Sequence, residues 1–455
     1  MFRRSVISAL LVCLTLFAAA RTRPHYGGTL RIETQGDPWQ MPDGIARRLV
    51  LDTLTTAADT GEARPSLAVR WESQNAAHRW EFWIRAGVHF QDGEALTSDT
   101  VAAALTDVCS RPSPGMGACP WRTVRGVGSS VVFVSDVPVP DLPELLAQTE
   151  FAIARQDATG AVVGTGPFRV TGYANGALTL AENDDCWSGR PFADVVEVRT
   201  RRAVRDQWLD LSVGKADIVE VPPELLRQAE QQHLSVLQSR PVDLLVLTIA
   251  PNGWLASREI RQSAAMAVDR TALYNVIFQK QGEVTGSLLP QELSGYAFLF
   301  SPDRDLDRAR ALRGGASPSS LMLGAEDTTS TMQLATERLA LNLREAGFNV
   351  QVAQSGSRQT SALMLRRVHL EATGAEAALD EMLSRFGQNR AGSMTGTGTD
   401  AAALWQEERG VLDNETIVPL LWLPRAWAVG ERVRDLRLLS DGEPDLSDAS
   451  LEGAK

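Results

Sequence analysis

The chain has 455 residues, of which 44% are hydrophobic and 22% charged, and a net charge of −11. That length exceeds what one hydrophobic core supports, so two or more lobes are expected. The acidic balance argues against nucleic acid or an anionic membrane surface as partner, since both need basic patches.

Residues 1–20 carry Arg3 and Arg4, an apolar run over residues 6–17, and then Ala18-Ala19-Ala20. This is the pattern of a cleaved secretory signal, and the run is short for a membrane span. Cys13 follows Leu11-Val12 rather than small residues, so lipoprotein cleavage there is not expected. Removing the segment leaves a more acidic chain without a second long apolar run, and export into a periplasm is the expected fate.

The mature chain opens on a short strand, Gly27-Gly28-Thr29-Leu30-Arg31-Ile32-Glu33. Over residues 79–85, Trp80, Phe82 and Ile84 alternate with Arg79, Glu81, Trp83 and Arg85, the period of a half-buried strand. Asp92-Gly93 is a turn pair, Thr97 or Ser98 can cap a helix, and Val101, Leu105 and Val108 form that helix's apolar stripe. Cys109 and Cys119 follow, separated by a loop with Pro112, Pro114, Gly115 and Gly117. A local disulfide is the hypothesis for them in an oxidising compartment, against two free thiols. Cys186 is then unpaired and most simply a small buried hydrophobe.

A strand is expected at 131–134 and a helix at 142–147. The glycines and proline of Val163-Gly164-Thr165-Gly166-Pro167-Phe168 suit turns and close packing. A phosphate cradle is the sharper alternative, but no lysine or Ser/Thr follows at P-loop spacing. Residues 242–250 form a continuous apolar run suited to a buried strand, with Asn252-Gly253 as a turn after it. Ile260, Ala264 and Val268 define the inner face of an amphipathic helix. A strand at 321–324, a helix lined by Ala335, Leu339, Leu343 and Ala346 and ended by Gly347, and a strand through Phe348, Val350 and Val352 imply a parallel unit. Helices are expected near 375–386 and 401–409, with a flexible loop at 392–399 between them.

The wording of these blocks carries further information. Pro65-x-Leu67-Ala68-x-x-Trp71-Glu72, Ile84-Arg85-x-Gly87-Val88-x-Phe90-x-Asp92-Gly93 and Leu96-Thr97-x-Asp99-x-Val101 closely resemble the signature of the family 5 extracellular solute-binding proteins. Those are receptors of ABC importers for dipeptides, oligopeptides, nickel chelates and some sugars. The Val163 loop, Asn183 with Trp187, Gly189 and Pro191, Leu211 with Gly214 and Asp217, and Ala267-Val268-Asp269-Arg270 resemble further blocks of that family. Beyond Gln354 the match fails, until Ile417-Val418-Pro419-Leu420-Leu421 resumes it. The second lobe therefore reads as shortened.

The resemblance implies an α/β fold of the two-lobed, type II-like periplasmic binding protein class with an extra subdomain in lobe I. The expected divisions are signal 1–20, lobe I 21–50 and 161–250, subdomain 51–160, lobe II 251–420, and a return to lobe I with a C-terminal tail at 421–455. The implied function is capture of a small, peptide-like solute between the lobes by a monomer and its delivery to an ABC permease in the inner membrane. The rival is a degenerate scaffold acting as a structural or interaction component of the cell envelope. No cofactor is called for. The five histidines are scattered, no HExxH or GxSxG occurs, and nothing asks for an enzyme.

Candidate ligand contacts follow from position and residue type. Eleven tryptophans against four tyrosines is an unusual ratio. Trp71, Trp80 and Trp187 sit inside the fold signatures, whereas Trp39, Trp121, Trp254, Trp405, Trp422 and Trp427 are not explained by them. Each alone is more simply packing than a ligand contact, yet a cleft favours flat aromatics. The candidates are Trp121, Trp254 and Trp405, with Thr34, Gln35 and Asp37 at the end of the first strand, and Arg155 and Arg425 as carboxylate partners.

Overall fold

The computed structural model describes residues 26–36, 44–58, 61–111, 119–157, 160–296, 299–315, 320–326, 329–353, 361–388 and 401–453. The expected signal segment, Asp37, Trp39 and the 392–399 loop lie outside them.

The alternation at 79–85 becomes strand Arg79–Ile84, which pairs antiparallel with Ala68–Gln74 on one side and Ser130–Val134 on the other. Its inward residues Trp80 and Phe82 are buried, and Phe82 stacks against Trp71 and meets Phe133 edge-on. Thr97 caps helix Ser98–Ser110 in a reciprocal pairing with Thr100, and Val101 and Leu105 face inward. Cys109 and Cys119 are joined by a disulfide with their Cα atoms 5.8 Å apart, and both pack at the margin of this core. Closing a loop of this length restricts the unfolded chain, so replacing both by serine is expected to lower unfolding free energy by about 2–3 kcal/mol, read from denaturant titration.

The glycine-rich 163–168 loop is a packing device. A side chain on Gly164 would collide with the Val50 carbonyl and Leu51, and one on Gly166 would lie 2.8 Å from the Leu49 carbonyl oxygen. The loop thus lies directly on the end of helix Ile45–Val50. Gln91 ties the two together: its amide donates to the carbonyls of Val50 (2.8 Å) and Phe168 (2.7 Å), and its oxygen accepts from the Gly164 N–H (3.1 Å). Asn183 donates to the Gly166 carbonyl at 3.0 Å, while Thr165 and Trp187 both donate to Asp52 at 2.7 and 2.8 Å. Two separated sequence blocks are in this way locked under a single aspartate. Free Cys186 is buried beside them.

One sheet runs through both lobes. Among the described residues its spatial order is Phe168–Ala174, Ala177–Glu182, Val195–Arg199, Thr29–Glu33, Ile218–Glu220, Ile417–Val429, Ser235–Ile249, Leu363–His369, Leu321–Ala325 and Val350–Val352, with Glu283–Val284 added beside Ile417–Val429. The first strands belong to lobe I and the last to lobe II. Two long antiparallel strands, Ser235–Ile249 and Ile417–Val429, connect them. The sequence places the crossings near 250 and 420. The pairing of these two strands shifts register between Gln238, Pro241 and Asp243. The apolar run beginning at Val242 is the buried half of strand Ser235–Ile249, and the other half is partly exposed.

Lobe II packs both faces of its sheet. Helices Arg258–Ala267 and Ser330–Glu345 cover one, burying Ile260, Ala264, Leu339 and Leu343. Leu321–Ala325 and Val350–Val352 pair in parallel around the second of these helices. Helices Ala375–Arg385 and Ala401–Leu412 cover the other face. Glu408 is completely buried there, accepting from the Leu288 N–H and from the Tyr296 hydroxyl at 2.5 Å. Burial pushes its carboxyl up to about 7. Because this lies above its unfolded value of 4.5, the stability it contributes is full below that value and is lost as pH rises from there through about 7. Glu408→Gln is expected to remove that loss, so its denaturation midpoint should fall less than that of the unsubstituted protein between pH 5 and pH 8.

Candidate functional site

Where the lobes meet, a cavity of about 210 Å³ is lined by four parts of the chain. Arg47, Arg48 and the following Leu51, Asp52 and Thr53 come from the end of helix Ile45–Val50, and Gln148 and Thr149 from the subdomain. Glu371, Ala372 and Thr373 enter from lobe II, directly after strand Leu363–His369, and Asp441 closes the site from the C-terminal segment.

Charged groups bridge the lobes around this space. Arg48 pairs with Asp441 and lies 3.3 Å from Glu371. Thr149 gives Glu371 a backbone N–H at 3.0 Å and a hydroxyl at 2.9 Å. Arg47 anchors the same turn by donating to the carbonyls of Thr149 (2.9 Å) and Glu150 (3.3 Å). Arg385, on the first helix after Glu371, reaches Glu150 at 2.6 Å and Glu381 at 3.3 Å. Burial pushes the Glu150 and Glu381 carboxyls up, with Arg385 pulling the other way. Burial also raises Asp52, against its bonds from Trp187 and Thr165. Asp441 is buried, yet the charge of Arg48 holds it below the ordinary carboxylate range.

A second cluster lies at the strand crossing. Asp243 accepts from Arg425 at 3.1 Å and shares a 2.7 Å hydrogen bond with His369. Burial opposes its charge, but Arg425 and His369 together keep its carboxyl well below the usual range. Arg425 also pairs with Glu443.

None of the described candidates from the sequence lines the cavity. Thr34 donates to Glu220 at 2.5 Å, and the Gln35 N–H to the same carboxylate at 2.7 Å. Trp121 is a core residue of the subdomain, packed on Phe133 and Phe151. Arg155 pairs with Asp92 and Glu94 over the Phe90 ring. Trp254 packs on Phe348, and Trp405 packs on the lobe II core under the Arg409 guanidinium. Arg425 does meet carboxylates, but they are the protein's own Asp243 and Glu443. The residues that do line the cavity carry one sequence signal: Arg47-Arg48 interrupts a stretch that is otherwise apolar and buried.

The model of the family described as "Bacterial extracellular solute-binding proteins, family 5 Middle" matches residues 62–375. The chain belongs to this family. By its description this is a family of extracellular solute-binding proteins, not of enzymes. Among curated relatives, "Uncharacterized protein YhjP" of Bacillus subtilis is 27% identical over 244 residues, 52% of this chain and 40% of that protein. "Oligopeptide-binding protein AppA" of Bacillus subtilis is 22% identical over 306 residues, 58% of this chain and 54% of that protein. The chain thus spans about half the length, or less, of the first curated relatives it matches. Among solved structures, NikA from Staphylococcus aureus in complex with Ni(L-His)2 superposes with a TM-score of 0.81 at 15% identity, covering 93% of this chain and 100% of that one. The likeness establishes the two-lobed α/β family 5 fold. Among the described residues no helix is long and apolar enough to cross a membrane, and no three His, Cys, Asp or Glu side chains are grouped to hold a metal ion.

Proposed function

We propose that this family 5 protein is a monomeric receptor that captures a small, peptide-like solute between its lobes after export to the periplasm and delivers it to an ABC permease. One observation carries this reading: the cavity is lined from both lobes, so a solute within it touches both. Such a ligand has higher affinity for the closed arrangement than for the open one and shifts the population toward closure. The volume sets the scale. About 210 Å³ is below the range of about 300–1,000 Å³ typical of drug-sized sites, which favours an amino-acid derivative, a very short peptide or a compact chelate over a long peptide. Relatives supply chemistry of the same kind, one named as an oligopeptide binder and one crystallised with a nickel–histidine complex. The N-terminal pattern of Arg3, Arg4 and the apolar run supports export.

A thermal-shift screen against short peptides, nickel chelates and small oligosaccharides tests the proposal. A solute at 100 times its dissociation constant should stabilise the protein by about 2.7 kcal/mol. No shift with any class, from a folded sample, would count against it. A second reading, a scaffold that has kept the fold but works as an envelope interaction component, is favoured by the direct pairs of Glu371 with Arg48 and of Arg385 with Glu150, which bridge the lobes without a solute. Co-purification with another envelope component, together with silence in the screen, is the outcome that reading expects.

A further inference from the structure

The contact that closes the cleft has the form of a ligand complex. Glu371 comes from lobe II, but every group that grips the end of its side chain belongs to the other side of the cleft. The Thr149 N–H donates to Oε2 at 3.0 Å, the Thr149 hydroxyl lies 2.9 Å from both carboxylate oxygens, and the Arg48 guanidinium lies 3.3 Å from Oε2. Charge-assisted bonds from an N–H, a hydroxyl and an arginine are what selective recognition of a free carboxylate requires.

The cradle is also held in place without Glu371. Arg47 fixes the turn by bonding the carbonyls of Thr149 and Glu150, and Asp441 anchors the Arg48 guanidinium. If lobe II moved away, Glu371 would leave and the donors would stay aimed at the vacated position. Preorganised donors of this sort bind a newcomer with little ordering cost. Next to the cradle, Gln148 lines the same cavity, and its buried Nε2 has no hydrogen-bond partner among the described residues. A buried donor without an acceptor is costly in a purely structural contact.

We propose that the Arg48–Thr149 cradle is a carboxylate-recognition site, and that Glu371 occupies it as an internal competitor which the carboxylate of an incoming solute displaces. This rests on the receptor reading and names its solute class: a small carboxylate-bearing molecule with a second acceptor for the Gln148 amide. An N-acylated amino acid has both groups. Displacement couples capture to motion, since the solute takes the place of the side chain that bridges the lobes.

Calorimetric titration with N-acetylglycine and with its neutral carboxamide tests the proposal in the full chain. Glu371→Ala should bind N-acetylglycine at least about tenfold more tightly than the unsubstituted protein, the scale of freeing one charged hydrogen-bonding site. The carboxamide should gain nothing. Glu371→Gln, which keeps the shape and removes the charge, should give a smaller gain of the same sign, and it serves if the alanine variant fails to fold. Equal affinity for N-acetylglycine in all three proteins, undetectable binding in all three, or an equal gain for the carboxamide overturns the proposal. If the unsubstituted protein still gives a thermal shift with another solute, the receptor reading stands and only the carboxylate cradle falls. If it responds to none, both fall.

Discussion

Arg425→Ala should destabilise the folded protein by about 3–5 kcal/mol, the cost of stripping one partner from a buried ionic cluster. The Arg425 guanidinium lies 3.1 Å from Asp243 and also pairs with Glu443, while those two carboxylate side chains are only 4% and 3% exposed. Removing the cation leaves two buried carboxylates without its charge. Asp243 keeps its bond to His369 but loses the charge that most strongly counters its burial. Denaturant titration at neutral pH gives the number, and a loss below about 1 kcal/mol would place these groups in the class of solvent-screened surface pairs.

The pH dependence supplies a second readout. Asp243 and Asp441 both have carboxyls held below their unfolded values. Their stabilisation is therefore present above the ordinary aspartate range and lost as pH falls through the depressed folded values. Without Arg425, Asp243 should protonate at higher pH. The variant should then lose less further stability on acidification than the unsubstituted protein does.

Phe82→Ala should cost about 3–5 kcal/mol through lost burial and the cavity left behind. The ring is fully buried, with Trp71, Trp80 and Phe133 against it at centroid distances of 5.4–6.0 Å. It lies on one of the two inner strands of the four-stranded subdomain sheet, so no edge is available for the site to collapse against. Equilibrium unfolding followed by tryptophan fluorescence measures the cost and reports on Trp71 and Trp80 at the same time. A loss under about 1 kcal/mol would mean that the surrounding rings close the gap.

These two sites differ in how legible they are from sequence. Phe82 is visible because period-two alternation, the Asp92-Gly93 turn and the Thr97 cap are local demands, each met within a few residues. The glycines at 164 and 166 also read correctly as close-packing residues, although only the structure shows that the end of helix Ile45–Val50 is what they accommodate. The cleft is another matter. Arg48 and Glu371 are separated by 323 positions and Thr149 and Glu371 by 222, and none of the three belongs to a distinctive spacing. They meet only because the fold brings three separate parts of the chain to one cavity. The tryptophans serve packing instead: Trp121 and Trp254 are ordinary partners of Phe133 and Phe348. Arg425 does pair with carboxylates, but those come from the chain itself.

Titration of Gln148→Leu beside the unsubstituted protein shows whether a small solute binds in the cavity between the lobes. A solute identified by thermal shift should bind saturably and one-to-one, and this substitution should weaken it by about tenfold or more, as expected when a buried ligand group loses its hydrogen-bond donor, with the melting temperature little changed. Binding that Gln148→Leu leaves untouched would place the solute elsewhere and overturn the proposed site.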